Sequence, residues 1–188
     1  MMIDKRLGTQ CRKRNKKTLN ILNRLASDVQ LMFRRPCKEQ YGALCYRLKK
    51  KGSAVEVLLI TSRDTGRWVI PKGWPMDGKS ASAAAAREAW EEAGVKGKVI
   101  DESIGSYRYM KGMPEGLKLD CRVRVFALEV DDIAKNFPEK GERRAEWVDC
   151  TEAAARVQEP GLKTLLLNFE QKILSDLTPP AKNGTTGV

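Results

Sequence analysis

Apolar and polar residues alternate in several short stretches of the chain, a pattern typical of half-buried β-strands. It predicts strands at residues 41–49, 55–62, 99–109, 121–130 and 145–148, the third of them broken at Gly105. Apolar residues recur at helical spacing at 151–156 and 162–174 instead. Together these elements predict a mixed α/β sandwich.

One further helix is predicted after a glycine-containing loop in the middle of the chain. Residues 67–71, RWVIP, are predicted as a strand, 72–78 as the loop, and an Ala-rich helix follows directly. Ser80 or Ser82 is suited to cap the start of this helix, and Gly94 is suited to end it. The small residues at 83–86 allow another layer to approach closely.

Three glutamates share one face of this helix. Residues three and four positions apart are neighbours on a helix, so Glu88 lies beside both Glu91 and Glu92. An exposed helix face with local ion pairs is the simplest interpretation, with Arg87 as the nearby cation. The functional alternative is a hard divalent cation, because Mg²⁺ and Mn²⁺ are commonly held by carboxylates together with substrate phosphates.

The loop and the helix together resemble the Nudix box, whose pattern is G-x5-E-x7-R-E-U-x-E-E-x-G-U with U aliphatic. The residues that match at the required spacing are Gly73, Arg87, Glu88, Glu91, Glu92, Gly94 and Val95. Ala89 is a small occupant of the first U position, and Lys79 stands where the family has its first glutamate. The resemblance implies that this glutamate supports the box through Arg87. Lys79 cannot do so, and Asp77 is the nearby acid that could partly substitute.

The resemblance extends over residues 41–169 and implies a Nudix-type α/β/α sandwich with a mixed β-sheet. It also implies a site for Mg²⁺ or Mn²⁺, with ligands from Glu88, Glu91, Glu92 and the backbone carbonyl of Gly73. The same three glutamates are the predicted catalytic residues, and Glu91 is the first choice as general base. The second choices lie on turn-rich segments: Glu115, Glu139 and Glu142.

Cations and tryptophans surround the predicted metal loop. Arg63, Arg67 and Lys72 are suited by charge and position to bind phosphates, and Ser62 precedes them, although surface solubility explains the cations equally well. Trp68 and Trp74 flank the loop. Packing against a core or a lid is their first interpretation, and stacking on a base is the second.

Within this superfamily the chain resembles the diphosphoinositol polyphosphate and diadenosine polyphosphate phosphohydrolases. Residues 55–73, 91–99 and 142–157 carry that resemblance, with the sequences VEVLLITSRDTGRWVIPKG, EEAGVKGKV and ERRAEWVDCTEAAARV. The predicted function is metal-dependent hydrolysis of a diphosphate link in a highly phosphorylated small molecule. Two alternatives stay open: an RNA 5′ pyrophosphohydrolase, and a domain that binds or senses nucleotides with little turnover because of Lys79.

The net charge of +11 is concentrated near the N-terminus. Residues 1–38 hold eleven Lys or Arg against two Asp, whereas the rest of the chain holds 24 against 22 Asp or Glu. We predict a basic arm at 1–38 with an amphipathic helix, the hydrolase domain at 39–176 and a flexible tail at 177–188. The arm is suited to polyanions such as phosphorylated substrates, RNA or an acidic membrane surface, and such a composition is also typical of a mitochondrial transit peptide.

The cysteine and histidine content limits which disulfides, metal sites and catalytic mechanisms the chain can have. The cysteines are widely spaced and form no CxxC pair, so neither a disulfide framework nor a zinc site is indicated. The absence of His excludes Ser-His and Cys-His nucleophilic schemes. No apolar run approaches the roughly twenty residues needed to span a bilayer. We therefore expect a cytoplasmic protein without membrane insertion, with the mitochondrion as the alternative location.

Overall fold

The computed structural model describes residues 37–49 and 54–177. Their elements, in chain order, are β1 (Lys38–Leu48), β2 (Val55–Thr61), β3 (Trp68–Val69), β4 (Lys72–Gly73), α1 (Ala81–Ala93), β5 (Val95–Gly112), β6 (Lys118–Ile133), β7 (Ala145–Asp149), α2 (Cys150–Arg156) and α3 (Pro160–Leu177). A 3₁₀ turn, Pro114–Gly116, joins β5 to β6. The predicted N-terminal helix, residues 50–53 of the predicted turn and the tail beyond residue 177 lie outside the described residues.

The strands form one mixed sheet with the order β3-β2-β1-β6-β5. β1 and β6 run parallel, from Lys38 opposite Cys121 to Tyr46 opposite Glu129. The other pairings are antiparallel, and they include β7 on β2 and β4 on β1. This mixed sheet confirms the predicted fold class.

Side chains of successive strand residues alternate between the two faces of the sheet, and each face carries a separate core. The face against α1 is built of these residues: Ala43, Cys45, Leu58, Ile60, Ala85, Ala89 and Ala93. The face against α2 and α3 includes these residues: Leu44, Tyr46, Val57, Leu59, Ala153, Leu162 and Leu166. The result is an α/β/α sandwich, and the alanines of α1 allow that helix to lie close to the sheet.

The two ends of α1 form as the sequence predicts. The Ser80 hydroxyl accepts a hydrogen bond from the Ala83 N–H at 3.2 Å, which caps the helix. Gly94 ends it in the left-handed conformation, with φ 70°, and its N–H donates to the Trp90 carbonyl at 2.9 Å. A Cβ at Gly94 would lie 2.5 Å from the Phe137 ring, so the end of α1 contacts the loop after β6.

Some predicted boundaries were wrong. β5 continues through Gly105, because the change in register against β6 around this residue is absorbed as a β-bulge without ending the strand. α2 begins one residue early, and the Asp149 carboxylate caps it by accepting from the Glu152 N–H at 2.7 Å. α3 begins at Pro160, because proline is well suited to the first turn of a helix. No helix among the described residues is long and apolar enough to cross a membrane.

Candidate active site

A cleft of about 910 Å³ lies beside β4. It forms where two strands share one edge of β1: the first part of β1 pairs with β4, and the last part pairs with β2. α1 and two loops provide its carboxylates: Glu88 and Glu92 lie on α1, Asp64 in the loop after β2 and Glu139 in the loop before β7. Strand residues and the tip of the β5–β6 hairpin complete its walls. The cleft therefore combines rigid elements with loops from distant parts of the chain.

Glu88 reaches the cleft because residue 73 is glycine. A Cβ at Gly73 would lie 1.9 Å from Oε1 of Glu88, so this carboxylate occupies the space that any other side chain at residue 73 would need. The antiparallel pairing of Gly73 with Tyr41 fixes the backbone at this point. The structure thus brings together Gly73 and Glu88, two of the predicted metal ligands.

The Glu88 carboxylate forms no hydrogen bond and no ion pair with the residues that the structure describes, and the charge of Lys72 only partly offsets its repulsion by the other glutamates. Burial raises the pKa of Glu88 to about 7, and the charges of Glu92, Glu91 and Glu139 contribute to this shift. A partly buried carboxylate that is unpaired and surrounded by like charges is costly to the fold. Such a group is a recurring mark of functional sites.

Glu92, one helical turn later, is surrounded by donors. Its carboxylate accepts a hydrogen bond from the Lys72 backbone N–H at 3.0 Å and forms an ion pair with Arg143. Arg143 also donates to Glu139 at 2.7 Å and to the Thr61 carbonyl at 3.0 Å. Burial raises the pKa of Glu92, and the charges of Lys72 and Arg143 oppose that change. The side chains of Arg143 and Glu92 are only 6% and 7% exposed, so this is a buried ionic network.

Glu91 is placed differently from the other two box glutamates. Its carboxylate accepts a hydrogen bond from Arg87 at 2.5 Å, and Arg87 lies 4.4 Å from the centre of the Trp90 ring. Glu91 is not among the described residues that line the cleft, although its backbone carbonyl accepts from the Glu139 N–H at 3.1 Å. The structure therefore does not bring the Glu91 side chain into the cleft with Glu88 and Glu92.

The second-choice candidates for the general base also differ in their position relative to the cleft. Glu139 lines the cleft. Glu142 lies 3.4 Å from Arg63 but is not one of the described lining residues. The side chain of Glu115 lies outside the described part of the structure. Glu139 is thus the second-choice candidate that the fold places beside the box carboxylates.

All four predicted substrate-binding residues line the cleft: Ser62, Arg63, Arg67 and Lys72. Arg63 lies 3.4 Å from Glu139, and Glu139 raises the pKa of this largely exposed guanidinium. The Ser62 hydroxyl forms a hydrogen bond of 2.7 Å with the Thr65 hydroxyl, which stabilises the turn after β2. These residues present hydroxyl and guanidinium donors to one region of the cleft.

A second pair of cations surrounds Tyr109. The Arg67 guanidinium lies 5.3 Å from the centre of the Tyr109 ring, and the Lys72 ammonium lies 5.8 Å from it. Arg67 is ion-paired with Glu159, a buried residue just before α3. Burial lowers the pKa of Lys72, and Glu92 partly offsets this effect. These cations are oriented by the surrounding protein, so they do not act as free surface charges.

Several lining residues were missed by the sequence prediction: Gln40, Tyr109, Lys111, Arg143 and Gln158. The Tyr109 hydroxyl donates to the Gln40 side chain at 2.7 Å, a contact between residues that are 69 positions apart. No local motif marks such a pair. The sequence did give a signal for Arg143, because this residue lies in the segment 142–157 that carries part of the family resemblance.

Lys79, the residue that departs from the box pattern, is exposed. It is not one of the described residues that line the cleft. Its backbone N–H donates to the Met76 carbonyl at 3.2 Å, which closes a turn in the loop. Asp77 is exposed as well, and the hydrogen bond and ion pair of Arg87 go to Glu91 instead. The loop therefore keeps its turn without an ion pair between residue 79 and Arg87.

The two tryptophans beside the loop have different surroundings. Trp68 packs against the core on the α2 and α3 face, with Arg144 and Arg156 each 5.5 Å from the centre of its ring. Trp74 is 39% exposed and lines the cleft. The packing interpretation is confirmed for Trp68, and only Trp74 is placed where it can contact a bound molecule.

The oxygen donors fit a hard divalent cation that keeps part of its water shell. The described residues contain no group of three or more His, Cys, Asp or Glu arranged to hold a metal by themselves. Glu88 offers an unpaired carboxylate beside the Gly73 backbone, and Glu92 offers a second carboxylate oriented by the Lys72 N–H. Mg²⁺ is usually held by one or two carboxylates, waters and substrate phosphates, so an open donor set of this kind is suitable.

Fold and site together are those of an enzyme that acts on phosphorylated compounds, and comparison with known proteins names the family. The family model of the NUDIX domain matches residues 38–169. Nudix hydrolase 21, chloroplastic, from Arabidopsis thaliana is 32% identical over 158 residues, which cover 82% of this chain and 77% of that protein. The chain therefore belongs to the Nudix family, as a pyrophosphohydrolase.

More distant relatives agree with this family. Diphosphoinositol polyphosphate phosphohydrolase 3-beta from Bos taurus is 30% identical over 124 residues, covering 64% of this chain and 70% of that protein. The crystal structure of a C. elegans Ap4A hydrolase binary complex has a TM-score of 0.54 at 21% identity, and covers 74% of this chain and 98% of that chain. This last similarity shows the fold. Nudix enzymes generally depend on divalent metal ions.

Proposed function

We propose that this enzyme hydrolyses a phosphoanhydride bond in a highly phosphorylated small molecule. The proposal is carried by a cleft in which carboxylates and cations face each other: Glu88, Glu92 and Glu139 with Arg63, Arg67, Lys72 and Arg143. Arginine forks bind phosphate oxygens in bidentate fashion, and lysine acts as a mobile point charge. The carboxylates supply the oxygen donors that a hard metal ion requires.

Glu88, Glu92 and the carbonyl oxygen of Gly73 would hold the Mg²⁺ or Mn²⁺ ion, with Glu91 as a further candidate ligand. Bound there, the ion would polarise substrate phosphate oxygens and lower the pKa of a bound water. Glu88 is suited to this role because it forms no ion pair among the described residues and neighbouring carboxylates repel its charge. Glu92 is held in place by the Lys72 N–H before any ligand arrives.

A carboxylate is needed as the base that takes a proton from the attacking water. Spacing on the helix favours Glu91, but its carboxylate does not line the described cleft. Both candidates are ion-paired, Glu91 with Arg87 and Glu139 with Arg143, so pairing does not distinguish them. Glu139 lines the cleft, so we place the base at Glu139 and keep Glu91 as the alternative. We expect Glu139→Gln to remove the acidic limb of the kcat profile against pH and Glu91→Gln to keep it. The reverse pattern would assign the base to Glu91.

The substrates we propose are diphosphoinositol polyphosphates and diadenosine polyphosphates. The similar bovine protein is a diphosphoinositol polyphosphate phosphohydrolase, and the C. elegans protein of similar fold is an Ap4A hydrolase. Both classes carry adjacent phosphoryl groups, which suit a site with several oriented cations. The cytoplasm remains the proposed location, with the mitochondrion as the alternative.

Phosphate and pyrophosphate release from a substrate panel tests this function. The panel contains diphosphoinositol polyphosphates, diadenosine polyphosphates, nucleoside diphosphate sugars and 5′-triphosphorylated RNA, each with Mg²⁺ or Mn²⁺. We expect Glu88→Gln to lower turnover by about 100-fold or more, because the charge that a bound metal supplies is worth several kcal/mol. Glu146→Gln is a matched control, since Glu146 pairs with Arg156 and is not among the described lining residues.

The same panel decides between the proposal and its rivals. An RNA 5′ pyrophosphohydrolase would prefer triphosphorylated RNA and would lose affinity steeply with salt, because each neutralised phosphate of a single strand releases counterions. The basic arm that would explain this behaviour lies outside the described residues. Tight nucleotide binding without turnover of any compound would instead identify a sensor domain.

A further inference from the structure

The loop between β6 and β7, residues 134–144, carries Glu139, the proposed base. Six of its eleven residues are charged, and Phe137 is its one large apolar side chain. Phe137 is half-buried, yet it belongs to neither of the two cores on the faces of the sheet. Its apolar contact therefore lies outside the cores.

The Phe137 ring lies against the last turn of α1, at the glycine that ends this helix. A Cβ at Gly94 would lie 2.5 Å from Cδ1 and 2.8 Å from Cε1 of Phe137, so the ring occupies the space that a side chain at residue 94 would need. Gly94 thus has two roles: it ends α1 at a positive φ of 70°, and it leaves room for the ring. The end of the box helix is in this way a docking point for the loop.

Two backbone hydrogen bonds flank this aromatic contact. The Ala134 N–H donates to the Gly94 carbonyl at 2.8 Å, and the Glu139 N–H donates to the Glu91 carbonyl at 3.1 Å. Isolated backbone hydrogen bonds contribute little net stability because water replaces them, whereas an aromatic ring removes a large apolar area from water. Phe137 therefore supplies the main apolar contact between two hydrogen bonds that fix the ends of this segment.

This attachment determines where the Glu139 carboxylate lies. Glu88 and Glu92 belong to α1, so a loop fixed to that helix keeps a constant position relative to both carboxylates. The Arg143 guanidinium orients the Glu139 carboxylate at 2.7 Å from the cleft side. Phe137 holds the backbone of the same residue from the helix side.

We propose that Phe137 is a positioning residue: by packing on Gly94 it holds Glu139 where its carboxylate can take a proton from the attacking water. Phe137 acts through Glu139 and not on the substrate, because it is not one of the described residues that line the cleft. This inference rests on the proposed phosphoanhydride hydrolysis with Glu139 as the base.

Steady-state kinetics of Phe137→Ala on the best substrate of the panel test the proposal. We expect kcat to fall roughly 10- to 100-fold, since a misplacement of about 1 Å in a catalytic group can cost about 100-fold. KM should change by less than about twofold, because only the chemical step loses an interaction. Phe137→Leu keeps an apolar contact and should recover most of kcat. Asn136→Ala is the control in the same loop, since Asn136 is exposed and accepts from Lys140 at 3.4 Å.

A double-mutant cycle separates positioning of the base from general damage to the fold. In a Glu139→Gln background the base is already absent, so adding Phe137→Ala should lower kcat by less than about twofold more. Equal fold losses in the two backgrounds would overturn the proposal. A Phe137→Ala enzyme with the kcat of wild type, or one that changes only in KM, would overturn it as well.

Failure of this inference and failure of the proposed function give different results. If Glu139→Gln keeps the kcat of wild type, the base lies elsewhere and the positioning role is wrong, while hydrolysis stands. If the wild-type enzyme turns over no compound of the panel, hydrolysis itself is wrong, and amide hydrogen exchange measured by NMR tests the attachment alone. The Glu139 amide should then exchange at least about tenfold faster in Phe137→Ala than in wild type or Asn136→Ala, because the loop opens locally. Unchanged exchange would show that Phe137 does not hold this loop.

Discussion

Glu88 and Glu92 lie four residues apart on α1, yet the regions around them differ in kind. Glu92 belongs to a buried network with Arg143, Glu139 and the Lys72 N–H. Glu88 lies against Gly73 and forms no ion pair with a described residue. The two carboxylates therefore differ in how far their charge is neutralised. Glu92, which connects α1 to the loop before β7, is neutralised by Arg143, whereas Glu88, beside the loop after β4, has no ion pair among the described residues.

Removing Arg143 should have the largest effect on stability, because Arg143 forms the ion pairs that neutralise Glu92 and Glu139. Arg143→Met leaves the buried carboxylate of Glu92 and the partly buried carboxylate of Glu139 without their common partner. We expect a loss of about 3–5 kcal/mol in the free energy of unfolding, the usual cost of breaking one side of a buried ion pair. Urea unfolding in EDTA at pH 8 measures it, and added Mn²⁺ should recover part of the loss.

The neighbouring Arg144 offers a matched control for this prediction. Arg144 is exposed, and its contact is with the Trp68 ring at 5.5 Å. Arg144→Met should cost no more than about 1 kcal/mol, as is usual for an exposed cation–π contact. Equal losses in the free energy of unfolding would mean that the ion pairs of Arg143 stabilise the protein no more than the exposed contact of Arg144.

Displacing Glu88 without removing its charge should give the next largest effect. In Gly73→Ala the new Cβ would lie 1.9 Å from Oε1 of Glu88, so the carboxylate must move away from the metal loop. We expect kcat/KM to fall by about 100-fold, since a misplacement of about 1 Å in a catalytic group can cost that much. The free energy of unfolding should change by less than about 1 kcal/mol, because only the flexible end of a side chain has to move.

A double-mutant cycle sharpens this prediction. In a Glu88→Gln background the carboxylate is already neutral, so adding Gly73→Ala should lower kcat/KM little further. If the two substitutions act additively, Gly73 affects catalysis by a route that does not pass through Glu88.

The contact between Gly73 and Glu88 could be predicted from the sequence, whereas the network around Glu92 could not. The box spacing, the Ser80 cap and the Gly94 end are local signals, because each depends on residues within a few positions. The ion pair between Glu92 and Arg143 joins residues 51 positions apart, and the order of the strands determines it. Helical spacing likewise places Glu91 beside Glu88 but does not indicate which glutamate faces the cleft.

The pH dependence of stability should show directly that the charge of Glu88 is not neutralised. Burial and neighbouring carboxylates raise the pKa of Glu88 from 4.5 to about 7. Between these two values the folded protein keeps a proton that the unfolded chain has released, so stability falls as pH rises from 4.5 to 7. We expect a loss of about 1–2 kcal/mol, a value reduced for the partial exposure of the carboxylate to solvent.

Urea unfolding of the metal-free protein across this pH range measures the effect. The glutamine of Glu88→Gln does not ionise in this pH range. The variant's free energy of unfolding should therefore change less with pH, and the variant should be more stable than wild type at pH 8. A Glu88→Gln protein that is less stable at pH 8 would show that the Glu88 charge is satisfied after all.

The smallest effect should come from restoring the family residue at position 79. Lys79 is exposed and outside the described lining of the cleft, and Arg87 already pairs with Glu91 at 2.5 Å. In Lys79→Glu the new carboxylate competes with Glu91 for Arg87, and an exposed ion pair of this kind is worth only about 0–1 kcal/mol. We therefore expect kcat/KM to change by less than about fivefold, equally for substrates with three and with four linked phosphates. Initial rates on diadenosine triphosphate and tetraphosphate measure this. A selective loss on the more highly charged substrate would show that Lys79 contacts phosphate, and the cationic region of the cleft would then extend to the metal loop itself.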